Sequence, residues 1–114
     1  MAIVNITVQN DADFYRTFIW QTIALVPIDL TGGVMEMMLR RNAKDDVAVM
    51  RLGSDTGEIV FTDPPAGQFT VRISQLELER MALGEFAHSN IFTRGGFKVR
   101  VWTGTLENNP GPTR

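Results

Sequence analysis

The chain has 114 residues, a formal net charge of −2 and no cysteine. That is one domain's worth of chain, able to bury a core of its own, and it excludes disulfide staples, thiolate chemistry and cysteine-built zinc sites. Hydrophobic residues make up 44% and charged residues 21%, which gives neither the basic footprint of a nucleic-acid binder nor an acidic solvating tail. No run approaches the ~20 apolar residues of a membrane-spanning helix. Residues 1–8 lack the basic flank and unbroken apolar stretch of a secretory signal. Synthesis in the cytoplasm, with no nucleic-acid or membrane partner, is the expectation.

Residues 2–8 alternate and are rich in β-branched side chains, which predicts a first strand, followed by a polar turn over 9–13. Residues 14–23 predict a second strand. Phe14, Arg16, Phe18 and Trp20 share one face, and Tyr15, Thr17 and Ile19 the other. Aromatics on both faces imply cover on both sides for part of its length.

Pro27-Ile28-Asp29-Leu30-Thr31-Gly32-Gly33 is the corner around which the chain is organised. Proline fixes φ, Asp29 and Thr31 can bond nearby backbone N–H groups, and the two glycines allow a reversal at positive φ. The corner feeds a strand over 34–41, in which Met35, Met37 and Leu39 recur at the period of a half-buried strand.

A polar link over 42–45 suits a hairpin and leads to a strand over 46–52. A tight turn over 53–57 and a short strand over 58–62 come next. Asp63-Pro64-Pro65-Ala66-Gly67 cannot continue a ladder. In 68–74, Phe69, Val71 and Ile73 point in while Thr70, Arg72 and Ser74 point out. Ser74 and Glu77 then form a capping box for a short helix over 75–82, with Gly84 placed to end it.

A strand over 85–92, a reversal at Thr93-Arg94-Gly95-Gly96 and a last strand over 97–106 complete the pattern. Phe97, Val99, Val101 and Thr103 there oppose Lys98, Arg100 and Trp102. Residues 107–114 hold two asparagines, two prolines and a glycine, which predicts one domain over 1–106 and a flexible tail over 107–114. About seven or eight short strands joined by tight turns make an all-β, antiparallel sandwich or barrel.

The side chains offer little chemistry. His88 is the single histidine. A general base needs a nucleophile and an orienting carboxylate, and the adjacent Ser89 points to the opposite face of a strand. Asp45, Asp46 and Asp55, or Asp11 with Asp13, lack the ligand spacing of a calcium loop and read as turn formers. Arg40, Arg41, Lys44 and Arg51 cluster on one hairpin beside Asp45 and Asp46, as a charge-balanced surface. Met35 and Met37 read as core, and Met38, on the other face, as the methionine for partner contact. Trp20, Trp102 or Tyr15 would supply a stacking platform for a sugar, or an anchor in a subunit interface. Gly32-Gly33 and Gly95-Gly96 match neither a dinucleotide nor a P-loop motif. No catalytic, cofactor-binding or metal-ligating residue emerges.

Several pieces together carry a resemblance. Asp13-Phe14 is followed by Pro27-Ile28-Asp29-Leu30-Thr31-Gly32 and a methionine-rich strand ending at Arg40. Gly57-Glu58-Ile59, Ala66-Gly67-Gln68-Phe69, Leu83-Gly84-Glu85-Phe86 and Trp102-Thr103-Gly104-Thr105-Leu106 follow. From about Ile3 to Leu106 this resembles small structural proteins of tailed bacteriophages and prophages, including immunoglobulin-like N-terminal domains of baseplate or tail-fibre proteins. Where that family has an aromatic–aspartate pair after the glycine, this chain has His88 and Ser89.

The resemblance implies an immunoglobulin-like β-sandwich with one short helix. It also implies a non-enzymatic virion structural or assembly protein of the tail or baseplate, working through protein–protein contacts with other virion proteins or with itself. It brings no catalytic residues and no cofactor. The rival reading is a carbohydrate- or small-ligand-binding sandwich module.

Overall fold

The structure, a computed structural model, describes residues 2–113. Its strands are β1 (Ala2–Ile3), β2 (Ile6–Gln9), β3 (Phe14–Ile19), β4 (Val34–Arg40), β5 (Met50–Gly53), β6 (Ile59–Asp63), β7 (Gln68–Ile73), β8 (Gly84–Arg94) and β9 (Phe97–Asn109). A 3₁₀ turn, Pro64–Ala66, joins β6 to β7, and helix α1 (Gln75–Arg80) joins β7 to β8. One sheet runs β1-β9-β8-β4-β5, with β2 also on β9; the other runs β3-β7-β6. β1 and β2 lie parallel to β9, and every other pairing is antiparallel.

This strand order defines the architecture. β9-β8-β4-β5 is the GFC sheet with its added C′ strand, and β3-β7-β6 supplies B, E and D. The protein is an immunoglobulin-like antiparallel β-sandwich. Its opening strands join the sheet of β9 and do not lie beside β3.

The alternation read from the sequence builds the core. Met35, Met37 and Leu39 of β4 meet Phe69, Val71 and Ile73 of β7, and all six are buried. Leu78 of α1, Phe86, Phe92 and Leu106 close the same cluster. Ser74 caps α1 by accepting a hydrogen bond from the Glu77 N–H. Among the described residues no helix is long and apolar enough to cross a membrane.

Several boundaries depart from the sequence reading for identifiable reasons. The first strand breaks at Val4–Asn5, where the chain leans onto Gly104 and Asn5 Oδ1 accepts the Thr105 N–H. The second strand ends at Ile19, and its outer face is bare: Tyr15 is 66% and Ile19 55% exposed. Of the two corner glycines only Gly32 has positive φ. Gly33 is required because a Cβ there would overlap the Phe92 ring.

The expected strand over 46–52 shrinks to Met50–Gly53. Asp45 ties the preceding loop, its carboxylate accepting from the Asn42 N–H and its carbonyl from Arg40. α1 ends with extended Met81 as its C-cap, and Gly84 at positive φ opens β8.

The domain boundary at Leu106 is also corrected, because β9 continues to Asn109 on β2. Buried Asn108 donates to the carbonyls of Leu78, Met81 and Ala82, joining the strand to the end of α1. Residues 110–113 fold back, with the Gly111 N–H on Asn10 Oδ1 and the Thr113 N–H on Asp11 Oδ2.

Candidate functional site

β8 and β9 carry the polar group nearest to chemistry. His88 points inward and is 4% exposed. The Trp102 Nε1–H lies 3.2 Å from its Nδ1, and its Nε2 lies 3.0 Å from the Thr105 carbonyl. This assigns the neutral tautomer that donates from Nε2 and accepts at Nδ1. Burial lowers the pKa of His88, opposed by the backbone carbonyls of Thr105 and Val4. Both ring nitrogens are thus engaged by framework groups, and Ser89 sits on the outer face. The pair is not a base and nucleophile.

Trp102 belongs to the interior. A β-bulge explains why: Asn90 pairs with Trp102 and Ile91 with Arg100, so Val101 is the extra residue and both Val101 and Trp102 turn inward. Its ring packs 4.7 Å from Phe18 and 5.6 Å from Phe69, centroid to centroid. The cluster joins the two sheets, Trp102 of β9 packing on Phe18 of β3 and Phe69 of β7. Trp102 is therefore no sugar platform. Trp20 is half-buried, edge-on to Phe92 at 5.7 Å. Tyr15 lies on the outer face of β3. The three candidate platform residues do not meet.

The charged candidates also serve the framework. Arg51 pairs with Glu36 at 2.7 Å and Asp55 at 3.2 Å. Arg41 donates to the Leu83 and Glu85 carbonyls and lies over the Phe86 ring. Asp13 accepts the Gln75 N–H at 2.6 Å. Among the described residues no group of three or more acids and histidines could hold a metal ion.

An open groove of about 810 Å³ runs between β3 and β5, lined in part by Phe14, Tyr15, Met50 and Arg72. A smaller hollow of about 330 Å³ lies on the outer face of β4 and β8. Met38 lines it, half-buried, with Arg40 Nη2 on its sulfur. Glu36, His88 and Ser89 also border this hollow, but the His88 ring is turned into the core with both nitrogens bonded to Trp102 and Thr105, away from the Ser89 hydroxyl.

The most unusual surface is at the end of the sandwich where β3 stops. The Thr22 N–H bonds the Val26 carbonyl, the Leu25 N–H bonds the Thr22 carbonyl, and the Val26 N–H bonds the Thr22 hydroxyl. The resulting turn holds Leu25 at φ +62°, the one non-glycine residue at positive φ among those described. Ile23 is fully exposed, Leu25 73% and Val26 56%. Arg94 donates to the Asp29 and Thr31 carbonyls, which brings the β8–β9 turn to this same end. Gly95 and Gly96, both at positive φ, make that two-residue turn, and Phe97 beyond it is 78% exposed. The sequence reading absorbed Ile23 into a strand and missed this loop. The available signal was four apolar residues in succession before Pro27, too many for one half-buried strand face.

No protein-family model and no curated protein matches the chain. Among solved structures, one of murine CRIg aligns over 94% of this chain and 92% of that chain, at 13% identity and a TM-score of 0.45. The immunoglobulin-like assignment stands on strand order and register.

Proposed function

We propose that this is a non-enzymatic structural protein of a tailed phage or prophage particle, a tail or baseplate component working through protein–protein contacts. The observation that carries the contact role is the apolar loop end. Ile23, Leu25 and Val26 are presented on a hydrogen-bonded turn, and a leucine is held in a left-handed conformation that costs of order 1 kcal/mol. A preordered apolar projection of this kind loses little entropy on docking. The phage assignment rests on the sequence resemblance, from the Pro27–Gly32 corner to the Trp102–Leu106 strand. Its partners on this reading are other virion proteins, met in the particle after assembly in the host cytoplasm.

Mass spectrometry of purified tailed particles from a strain carrying the gene tests this reading. The chain is expected at a copy number in fixed ratio to the tail proteins. Its absence from particles, with normal particles formed by a deletion strain, overturns it. The carbohydrate-binding alternative loses Trp102 to the core. Saturable fluorescence quenching by a glycan, abolished by Trp20→Ala, would revive it.

A further inference from the structure

The two sheets have four outer strands, and three are blunted. The β1/β2 edge breaks at Val4–Asn5, β5 has four residues, and β6 is irregular between Val60 and Asp63 and ends at Pro64. β3 is different. Six successive residues pair with β7 without a bulge or a proline, and among the described residues no strand lies on the other side of β3. The opening strands that would cover it lie on β9 instead.

Hydrogen-bond parity says what this edge can accept. The Trp20 N–H bonds the Gly67 carbonyl, one step beyond the Ile19–Gln68 pair. Phe14, Arg16 and Phe18 therefore direct their backbone groups to β7, while Tyr15, Thr17 and Ile19 direct theirs outward.

We propose that the chain dimerises by pairing β3 antiparallel with β3 of a second copy, about a twofold axis at Thr17. The two three-stranded sheets then become one of six strands. This gives the assembly reading above a self-partner. In that register Thr17 faces Thr17, and Tyr15 faces Ile19 of the second copy. All three outward-directed residues of each copy form hydrogen-bonded pairs, about six backbone bonds in total. The exposed Tyr15 and Ile19 cover one another as an aromatic–β-branched pair. The Thr17–Thr70 hydroxyl contact, 2.8 Å, continues across the axis.

A second copy is favoured over an unrelated strand because the edge is complementary to itself in one register. Centring the axis on Arg16 would oppose two guanidinium groups and use about four bonds. Centred on Thr17, each Arg16 faces Phe18 of the second copy, the ring type it already covers at 5.0 Å within its own chain.

The chain has no cysteine, so Thr17→Cys places one thiol per copy. Facing Cα atoms in such a pair lie about 5.5 Å apart, within disulfide reach. Mild oxidation is expected to convert T17C into a covalent dimer and to leave Thr62→Cys, exposed on β6, monomeric. Light scattering of the unmodified chain is expected at twice its 12.7 kDa mass. Thr17→Lys and Thr17→Glu should each give monomers, and an equimolar mixture of the two should restore the dimer. Ile19→Lys, on an outward-facing and exposed side chain, repeats the disruption if either Thr17 variant misfolds. A monomer at the highest soluble concentration, equal cross-linking of T17C and T62C, or intact dimers in all three charged variants overturns the proposal. A monomer that is still found in particles overturns the dimer and leaves the structural role standing. A β3 dimer absent from particles does the reverse.

Discussion

The β8–β9 hairpin contains two regions built on one pattern with opposite outcomes. Below the bulge at Val101, the inward residues Phe86, His88, Trp102 and Leu106 are buried. Above it, Val99 lies opposite Phe92 and Phe97 opposite Arg94, on the same inward face, yet Phe97 is 78% and Val99 46% exposed. Alternation specifies which way a side chain points; whether anything lies there depends on how far the opposing sheet reaches. Here β3 stops at Ile19 and the hairpin runs past it. The sharpest test contrasts the two aromatics. Trp102→Ala removes a ring packed on Phe18 and Phe69 and the donor to His88, and is expected to cost about 3–5 kcal/mol in urea denaturation. Phe97→Ala should stay within about 0.5 kcal/mol. Equal losses would mean that the hairpin tip is packed after all.

The glycines sharpen the same contrast between covered and open backbone. A Cβ on Gly104 would overlap the Val4 carbonyl oxygen, a backbone atom with no flexible side chain to yield. Gly104→Ala is expected to cost about 1–3 kcal/mol and to speed amide exchange in β1 and β2 ahead of the rest of the sheet. A Cβ on Gly96, at the exposed tip, would meet nothing within 4 Å. Gly96→Ala therefore meets only the cost of its positive φ, of order 1 kcal/mol, and should leave exchange in β1 and β2 unchanged.

Those two regions also show what a sequence can disclose. The inward faces of β4 and β7, the capping serine of α1 and the Asp29–Thr31 corner were legible, because period and turn chemistry are local. The Asp29 carboxylate does accept the Thr31 N–H, at 2.9 Å. The bulge at Val101 was not legible. Two adjacent inward residues arise from a register shift against β8, which no window of one strand reveals. The ordering of residues 107–109 was hidden for the same reason: asparagine and proline signal a loose end, while Asn108 is buried by α1, far off in sequence. At the candidate site, the composition of residues 23–26 was readable, but the turn that exposes them comes from Thr22 bonding across to Val26.

His88 gives the buried region a signature in pH. Its pKa in the folded chain lies below the ordinary 6.5, chiefly through burial, so the unfolded chain takes up the proton more readily. Stability from the neutral ring is fully present above pH 6.5 and is lost as pH falls through the lowered folded value. Denaturation midpoints should decline over that window in the parent chain. In His88→Phe they should start lower, since Trp102 loses its acceptor, and stay flat there. Asp29, whose pKa is held below 3.8 mainly by its hydrogen bonds from Thr31, adds its own pH dependence only below that value. An unchanged slope in His88→Phe would show that another group is responsible.

The smallest expected effect on stability bears most directly on the contact role. Ile23 and Phe97 touch mainly solvent, so Ile23→Ser and Phe97→Ser should each shift stability by no more than about 0.5 kcal/mol. Their effect on assembly should be large by comparison, because interface energy concentrates in a few apolar anchors, each worth about 2 kcal/mol or more on truncation. Incorporation of the doubly substituted chain into particles, measured in competition with the parent chain, reads this directly. Unimpaired incorporation at unchanged stability would move the contact surface away from the loop end and toward the sheet edges. Impaired incorporation accompanied by loss of stability would instead place these residues in the fold, contradicting their exposure.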